Sequence, residues 1–264
     1  MGGGVAGDLV GFVAATWLRG VPFVQIPTTL ASMVDASIGG KVAINLPDGK
    51  NLVGAFYQPK LVIQDLELLT SLPKRELNSG WAEVIKHGLI LDSELFHQLE
   101  HIGKNSENEL TSKNMISAIR YSVKIKSDVV SADEYETGDT RILLNYGHTI
   151  GHALEKITNY KKFLHGEAVA IGMMVAARIS HRLGMIELGV IQRQQAILQQ
   201  FSLPVYFEEA DVNSLINATR TDKKTRGGSI NWVLLTGIGT STTQSDVPAS
   251  VVLEAIDETM GPSR

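Results

Sequence analysis

Cysteine is absent from this 264-residue chain, which excludes disulfides, thiolate metal ligands and a cysteine nucleophile. The absence fits a reducing compartment, and a cytoplasmic protein is expected. Surplus basic charge is missing too. Lys plus Arg number 24 against 28 for Asp plus Glu, a net charge of -4. No stretch is basic enough to track a phosphate backbone, so no nucleic-acid partner is expected. Long apolar runs are also lacking. The most apolar stretch, residues 168–177, stops at Arg178 after about half the ~20 residues of a membrane span. The opening Met-Gly-Gly-Gly-Val-Ala has neither the basic nor the apolar segment of a signal peptide. Ala6 stands where a myristoylation site needs Ser or Thr. No membrane partner is expected. Neither internal repeats nor low-complexity segments are found.

What is present is core material. The chain is 44% hydrophobic and 20% charged, a composition that excludes a disordered tail or a collagen-like repeat. At ~150 residues per domain, the length allows one large or two modest domains.

Strand, loop and helix alternate over residues 1–72. The run Gly2-Gly3-Gly4 followed by Val5, Gly7 and Asp8 reads as a turn feeding a helix over 8–18. Such a turn normally follows a strand that aims its amides at a phosphate. Only Met1 precedes it, so an upstream α/β segment is expected. Residues 21–26 read as a short buried strand stopped by Pro27-Thr28-Thr29, and Leu61-Val62-Ile63 as another. Gly39-Gly40-Lys41 and Asp48-Gly49-Lys50-Asn51 read as loops. After Pro73, helices are expected over 75–90, 94–102, 113–130, 147–157, 165–183 and 187–200, with one late strand at 229–235. The fold class expected is an α/β part, an incomplete Rossmann-like nucleotide-binding domain at 1–72. A mainly α-helical metal- and substrate-binding domain follows at 73–264.

Chemistry-bearing residues cluster. His148 and His152 stand four apart on one helix face, His165 opens the next apolar helix, and Glu83 lies in an apolar stretch with Lys86 one turn on. A carboxylate and imidazoles from three helices suit a catalytic divalent metal. Spacing alone fits both His148 and His152 as ligands. Without thiols, zinc is favoured over cobalt or iron. Lysines beside loop glycines, Lys41, Lys50, Lys223 and Lys224, suit phosphate or carboxylate recognition.

Taken in order, the motifs resemble the dehydroquinate synthases of the sugar-phosphate cyclase family. They include Gly-Gly-Gly-Val-Ala-Gly-Asp (2–8), Leu-Arg-Gly-Val (18–21), Gln-Ile-Pro-Thr-Thr-Leu (25–30) and Val-Asp-Ala-Ser-Ile-Gly-Gly-Lys (34–41). Gly-Lys-Asn (49–51), Gly-Ala-Phe-Tyr-Gln-Pro (54–59), Ala-Glu-Val-Ile-Lys (82–86) and Asp-Glu-Tyr-Glu-Thr-Gly (133–138) follow. Residues 141–153, His-Gly-Glu-Ala-Val (165–169) and Asp-Lys-Lys (222–224) close the likeness, which spans essentially the whole chain. More distantly it is similar to the iron-type alcohol and glycerol dehydrogenases.

The resemblance implies a dehydroquinate synthase-like fold and a metal, zinc or else cobalt, on Glu83, His148 and His165. His152 is then a substrate or proton-relay residue, and Glu136 a proton acceptor. Lys86 and Lys126 are implied as catalytic. Substrate positions map to Asp35, Lys41, Asn51, Arg141, Asn145 and one of Lys223 or Lys224, with Arg19 reaching a neighbouring subunit of a homodimer. NAD contacts map to Gly3, Gly4, Val5, Asp8, Thr28, Thr29, Lys41, Lys50, Leu68, Leu69, Thr70 and Ser71.

The implied enzyme is a carbon–oxygen lyase that converts 3-deoxy-D-arabino-heptulosonate 7-phosphate to 3-dehydroquinate and phosphate, the second step of the shikimate pathway. Asn51, Leu144 and His152 resemble the dehydroquinate branch, against cyclases of other sugar phosphates, a polyol dehydrogenase or an inactive fragment. Asp139-Thr140 is one residue longer than the family pattern, an expected displacement of Glu136 relative to Arg141. With the upstream segment missing, the chain is expected to form its metal site but to hold NAD poorly.

Overall fold

The computed structural model describes residues 1–46, 49–103, 113–208, 212–220, 225–226 and 229–261. Lys223 and Lys224, with Asp48 of the expected second loop, lie outside them.

The glycine turn does feed a helix, α1 (Gly4–Thr16), capped by Gly3 in extended conformation. The helix begins four residues earlier than the apolar spacing suggests, because the backbone of Gly2 is already fixed. Its N–H donates to Ile26 O and its carbonyl accepts from Thr28 N–H, so the turn lies against the chain entering residue 27. Gly11 allows the closest approach of this helix, since a Cβ there would sit 2.4 Å from Val42 Cγ1.

The strand expected at 21–26 contracts to β1 (Val24–Gln25). Two further strands form a hairpin, β2 (Lys41–Leu46) and β3 (Gly49–Phe56), and β4 (Leu61–Val62) pairs parallel to β1. The hairpin corrects the loop reading of Lys41 and of Gly49, Lys50 and Asn51. It is antiparallel, registers Lys41 opposite Phe56, and carries an irregularity between Ile44 and Leu46. Most of β3 is exposed, so neither face had to be written as an alternating apolar stripe, which is the strand signal in a sequence.

Helices dominate thereafter. They are α2 (Lys74–Leu91), α3 (Ser93–Gly103), α4 (Lys113–Ala132), α5 (His148–Ile157), α6 (His165–Arg182) and α7 (Leu188–Gln200). Each lies within a residue or two of its expected span. Beyond them the reading was incomplete. Helix α8 (Val212–Arg220) was not expected. Neither were β5 (Thr225–Arg226) and the closing helix α9 (Ala249–Asp257). The late strand expected at 229–235 divides into β6 (Ser229–Ile230), which pairs with β5, and β7 (Trp232–Gly237), which pairs with β8 (Thr240–Gln244). No helix among the described residues is long and apolar enough to cross a membrane.

Helix α6 is the axis of the core, with all residues from Ala168 to Ser180 buried. Two glycine contacts bring other helices onto it. A Cβ on Gly166 would lie 1.8 Å from Ser79 O of α2, and one on Gly172 would lie 1.9 Å from the Gly147 carbonyl just before α5. Only hydrogen side chains permit backbones to meet at such range. Ser79 Oγ also accepts from Gly166 N–H at 2.9 Å. The first crossing is one turn from Glu83 and next to His165. The second is next to His148. Packing of the core therefore delivers all three side chains to one place.

Candidate metal and substrate site

Glu83 is fully buried on α2, and its Oε1 lies 3.7 Å from Nε2 of His148 on α5 and 3.7 Å from Nε2 of His165 on α6. The ligating atoms of the three residues all lie within 4.8 Å of one another. That oxygen is buried without a hydrogen-bond partner, an arrangement that costs free energy unless a cation completes it. Lys86 pairs with the other oxygen, Oε2. Burial works to raise the Glu83 carboxyl, but Lys86 and His165 together outweigh it and hold it below the usual carboxylate range, so the group is an anionic donor. The His148 Nδ1 lies 3.2 Å from the Tyr146 carbonyl, which places the ring proton there and frees Nε2 for a metal. The residues present fit a divalent metal.

His152 lies on the same face of α5, its ring centroid 5.3 Å from that of His148 and 6.1 Å from that of His165. A residue that the sequence reading passed over, Glu155, sits beside it. Its Oε2 is 3.5 Å from His165 Nδ1 and its Oε1 accepts from Lys50 at 3.0 Å. Burial opposes charge on His165, yet Glu155 and then Glu83 raise its pKa to about 10. The signal for Glu155 was legible, since positions 148, 152 and 155 share one helical face.

Around this cluster the remaining polar residues gather from several elements. Lys126 of α4 donates to both the carboxylate and the carbonyl of Asp35, which stands on a short helical turn, Ser32–Ala36. Burial works to raise the Asp35 carboxyl, and Lys126 with Lys86 holds it well below the usual range. Glu136 adopts a left-handed backbone, φ 55°, in a loop pinned by Asp133, whose carboxylate accepts from Thr137 N–H and Gly138 N–H. It pairs with Lys41 and accepts from Asn145 Nδ2 at 3.3 Å. The buried Arg141 donates to the Gly39 carbonyl at 3.0 Å and to that of Glu134. With the longer Asp139-Thr140 segment, Glu136 and Arg141 remain close enough to interact electrostatically. Asn51, also left-handed, donates its backbone N–H to Asn45 Oδ1 at 3.1 Å.

Arg19 is apart from this gathering. It is exposed in the turn after α1 with φ 67°.

Of the residues assigned to NAD, Gly3 and Gly4 line a groove at the start of α1, with Gln25, Pro27, Ser32 and Ser37. Thr29 binds Ser32 through its hydroxyl at 2.9 Å, and Thr28 is tied to Gly2 by its N–H. Asp8 is raised to about 6, mainly by burial and then by Asp35. The Val5 side chain is 73% exposed. The expected segment Leu68, Leu69, Thr70 and Ser71 is a turn of helix, but the Leu69 side chain is fully buried in the core. The Thr70 and Ser71 hydroxyls donate to the carbonyls of Glu67 and Leu68.

Comparison with known proteins agrees with this architecture. The 2-epi-5-epi-valiolone synthase of Streptomyces hygroscopicus subsp. jinggangensis, solved with NAD+ and Zn2+ bound, superposes with a TM-score of 0.90 at 29% identity over 98% of this chain and 72% of its own. A 2-deoxy-scyllo-inosose synthase complexed with carbaglucose-6-phosphate, NAD+ and Co2+ gives 0.83 at 28% identity, over 98% of this chain and 73% of that one. A probable glycerol dehydrogenase from Sinorhizobium meliloti, at 16% identity and TM-score 0.67, shares the fold. In sequence, the 3-dehydroquinate synthase of Microcystis aeruginosa is 48% identical over 260 residues, 98% of this chain and 71% of its own length. That of Nostoc punctiforme is 47% identical over 258 residues, 97% of this chain and 71% of its own. Residues 1–79 match the family model for the 3-dehydroquinate synthase N-terminal region and residues 80–225 that for the C-terminal region. With the two models together matching residues 1–225, the chain belongs to the 3-dehydroquinate synthase family.

Proposed function

We propose that the chain acts as a 3-dehydroquinate synthase, a carbon–oxygen lyase that takes 3-deoxy-D-arabino-heptulosonate 7-phosphate to 3-dehydroquinate and phosphate. The observation that carries this reading is the juxtaposition of the Glu83, His148 and His165 cluster with a ring of cations, Lys86, Lys126, Lys41 and Arg141. The 47–48% identity to synthases of that name supports it.

Glu83, His148 and His165 would hold zinc or cobalt, and the groove at the glycine turn, with Lys50, would hold NAD. When bound, the metal lowers the pKa of a substrate hydroxyl and NAD accepts and returns a hydride. The chain's own residues do the positioning. Arg141 and Lys41 bind the anionic ends of a sugar phosphate carrying a carboxylate, since charge-assisted hydrogen bonds are the strong ones. Lys86 and Lys126 neutralise the Glu83 and Asp35 carboxylates beside the reacting carbons. Glu136, drawn down by Lys41 in spite of its burial, is an ionised acceptor for a substrate proton. His152, beside both metal-binding imidazoles, relays a proton to solvent. Holding one conformer of a flexible substrate supplies much of the rate of a ring closure. We further propose that the part over 1–72 carries NAD and the part over 73–264 carries metal and substrate. The assembly is proposed as a homodimer in which Arg19 reaches the neighbouring site, which accounts for its separation from the cluster in a single chain.

The test is phosphate release from the heptulosonate phosphate with added NAD and Zn2+ or Co2+. Chelation should abolish it and the metal restore it, with no net NADH. His148→Ala and His165→Ala should purify without metal, whereas His152→Ala should keep its metal and lose rate. Equal metal loss in all three variants overturns the ligand assignment. NADH accumulating in step with substrate consumption places the activity among the dehydrogenases instead.

A further inference from the structure

We propose that Glu155 is a positioning residue for the metal centre, which fixes the orientation and tautomer of His165 and clasps the β2–β3 hairpin to helix α5 through Lys50. The proposal rests on the reading that Glu83, His148 and His165 hold the metal.

The two oxygens of Glu155 do different things. Oε2 faces His165 Nδ1 at 3.5 Å, and Oε1 accepts from Lys50 Nζ at 3.0 Å. His165 therefore spends Nδ1 on Glu155 and turns Nε2 toward Glu83 Oε1, 3.7 Å away. A carboxylate at one ring nitrogen holds the proton there and leaves the other nitrogen's lone pair for a metal. His148 is arranged in the same way, but its Nδ1 faces the carbonyl of Tyr146 at 3.2 Å, a fixed backbone group. The His165 anchor is a side chain, and it needs an anchor of its own. Lys50 supplies one, with its Nζ 3.9 Å from the centroid of the Tyr160 ring as well. An almost fully buried carboxylate, 4% exposed, would otherwise face its desolvation cost with only an imidazole for company.

A rival role exists in the same cluster, because His152, Glu155 and His165 also present ligand atoms within 4.8 Å of one another. Two features disfavour Glu155 as a ligand. Both its oxygens are engaged, whereas Glu83 keeps a buried oxygen without a hydrogen-bond partner facing two Nε2 atoms. A metal on Glu155 would also have to displace the Nδ1 contact that orients His165.

The experiment is competitive titration of the full chain with Zn2+ against a chromophoric chelator, together with the visible spectrum of the Co2+ form. His148→Ala should lose metal altogether. Glu155→Ala should weaken affinity about 10–100-fold while keeping the cobalt band positions of the unchanged ligand set. Glu155→Gln, whose amide oxygen can still accept from His165 Nδ1–H, should recover most of that loss. Lys50→Met should loosen the metal severalfold. If Glu155→Ala fails to fold, the Gln and Lys50 variants carry the same comparison. Affinity within twofold of the parent in Glu155→Ala, or in both of the other two, overturns the proposal. So does metal loss in Glu155→Gln as complete as in His148→Ala, which makes Glu155 a ligand. Retention of full metal affinity by His148→Ala overturns the underlying ligand reading itself, a distinct result.

Discussion

Helices α1 and α6 are built from similar residues, and the fold treats them in opposite ways. In α6 all residues from Ala168 to Ser180 are buried, an arginine and a serine among them. In α1 the buried residues are Gly11 and Ala14, while Val5, Val10 and Val13 are 73%, 57% and 52% exposed. The difference is one of neighbours. Helix α6 is enclosed by α2, α5, α7, α9 and β7, and α1 rests on the hairpin and the Ser32–Ala36 turn. Apolar composition supplies the means to bury a helix, and burial itself is decided by how many elements surround it. The same contrast separates the two candidate sites. The metal cluster is framed by buried helices, and the groove at the glycine turn by a thin parallel pair and the start of α1.

The sharpest way to break that comparison is to truncate an apolar side chain in each helix. Ile171→Ala in α6 should cost about 2–5 kcal/mol, the usual range for a buried aliphatic residue. Val13→Ala in α1 should change stability by under about 0.5 kcal/mol. Urea denaturation of both variants measures this, and equal losses would mean that α1 is as enclosed as α6.

A smaller effect is expected where the two regions meet. Arg141, from the helical part, grips Gly39 at the root of the hairpin, and Lys41 reaches back to Glu136. Removing either cation should weaken a non-reactive phosphonate analogue of the substrate by ~1.5–3 kcal/mol, or about one to two decades. In Arg141→Ala, NAD affinity should be unchanged. Calorimetry reads both, and unaltered analogue binding in both variants would return these residues to a purely structural role.

The smallest effect concerns Asp8 on α1, whose pKa of about 6 lies above the ordinary 3.8 because of burial and then Asp35. Below about pH 4 the carboxyl is protonated in the folded and the unfolded chain alike, and it contributes nothing to the difference between them. Between about pH 4 and 6 the unfolded chain ionises this carboxyl while the folded chain still holds its proton, so stability falls across that window and stays lower above it. Asp8→Asn should remove this fall and raise stability at pH 7 by about 1 kcal/mol. That is less than the ~3 kcal/mol the displacement would imply if unscreened, since solvent reaches the site. Thermal melts at pH 4 and pH 7 test it. A gain that is equal at both values would show that titration is not its source.

The elements that were legible in the sequence were those with a long repeating pattern. Helices α2 through α7 carry apolar residues at helical spacing for many turns, and their ends fall close to the expected positions. Segments without such a pattern were misread or missed. In the hairpin Lys41–Leu46 and Gly49–Phe56, Lys41 and Gly49-Lys50-Asn51 read as loop because glycine and asparagine signal turns, and the remainder goes unassigned because its exposed faces carry no alternation. Helix α9, only nine residues long, offers too few turns for a stripe to emerge. Within the site, residue types and spacing mark Glu83, His148, His152 and His165 as candidate ligands, and the family resemblance selects Glu83, His148 and His165 among them. The ion pairs among site residues leave no such mark, because Lys41–Glu136 and Lys50–Glu155 each join positions about a hundred residues apart, and no local pattern records such a pairing.

By itself, the sequence determined which groups could do chemistry and which helices would carry them, since both follow from residue type and short-range periodicity. Tertiary structure decided the rest. Where α2, α5 and α6 cross is set by Gly166 against Ser79 and Gly172 against Gly147. Those crossings bring one carboxylate and two imidazoles within 4.8 Å, and they also determine that His165 faces Glu155 while His148 faces a backbone carbonyl. Such contacts depend on the close packing of the whole interior, in which each position is fixed by neighbours distant in the chain.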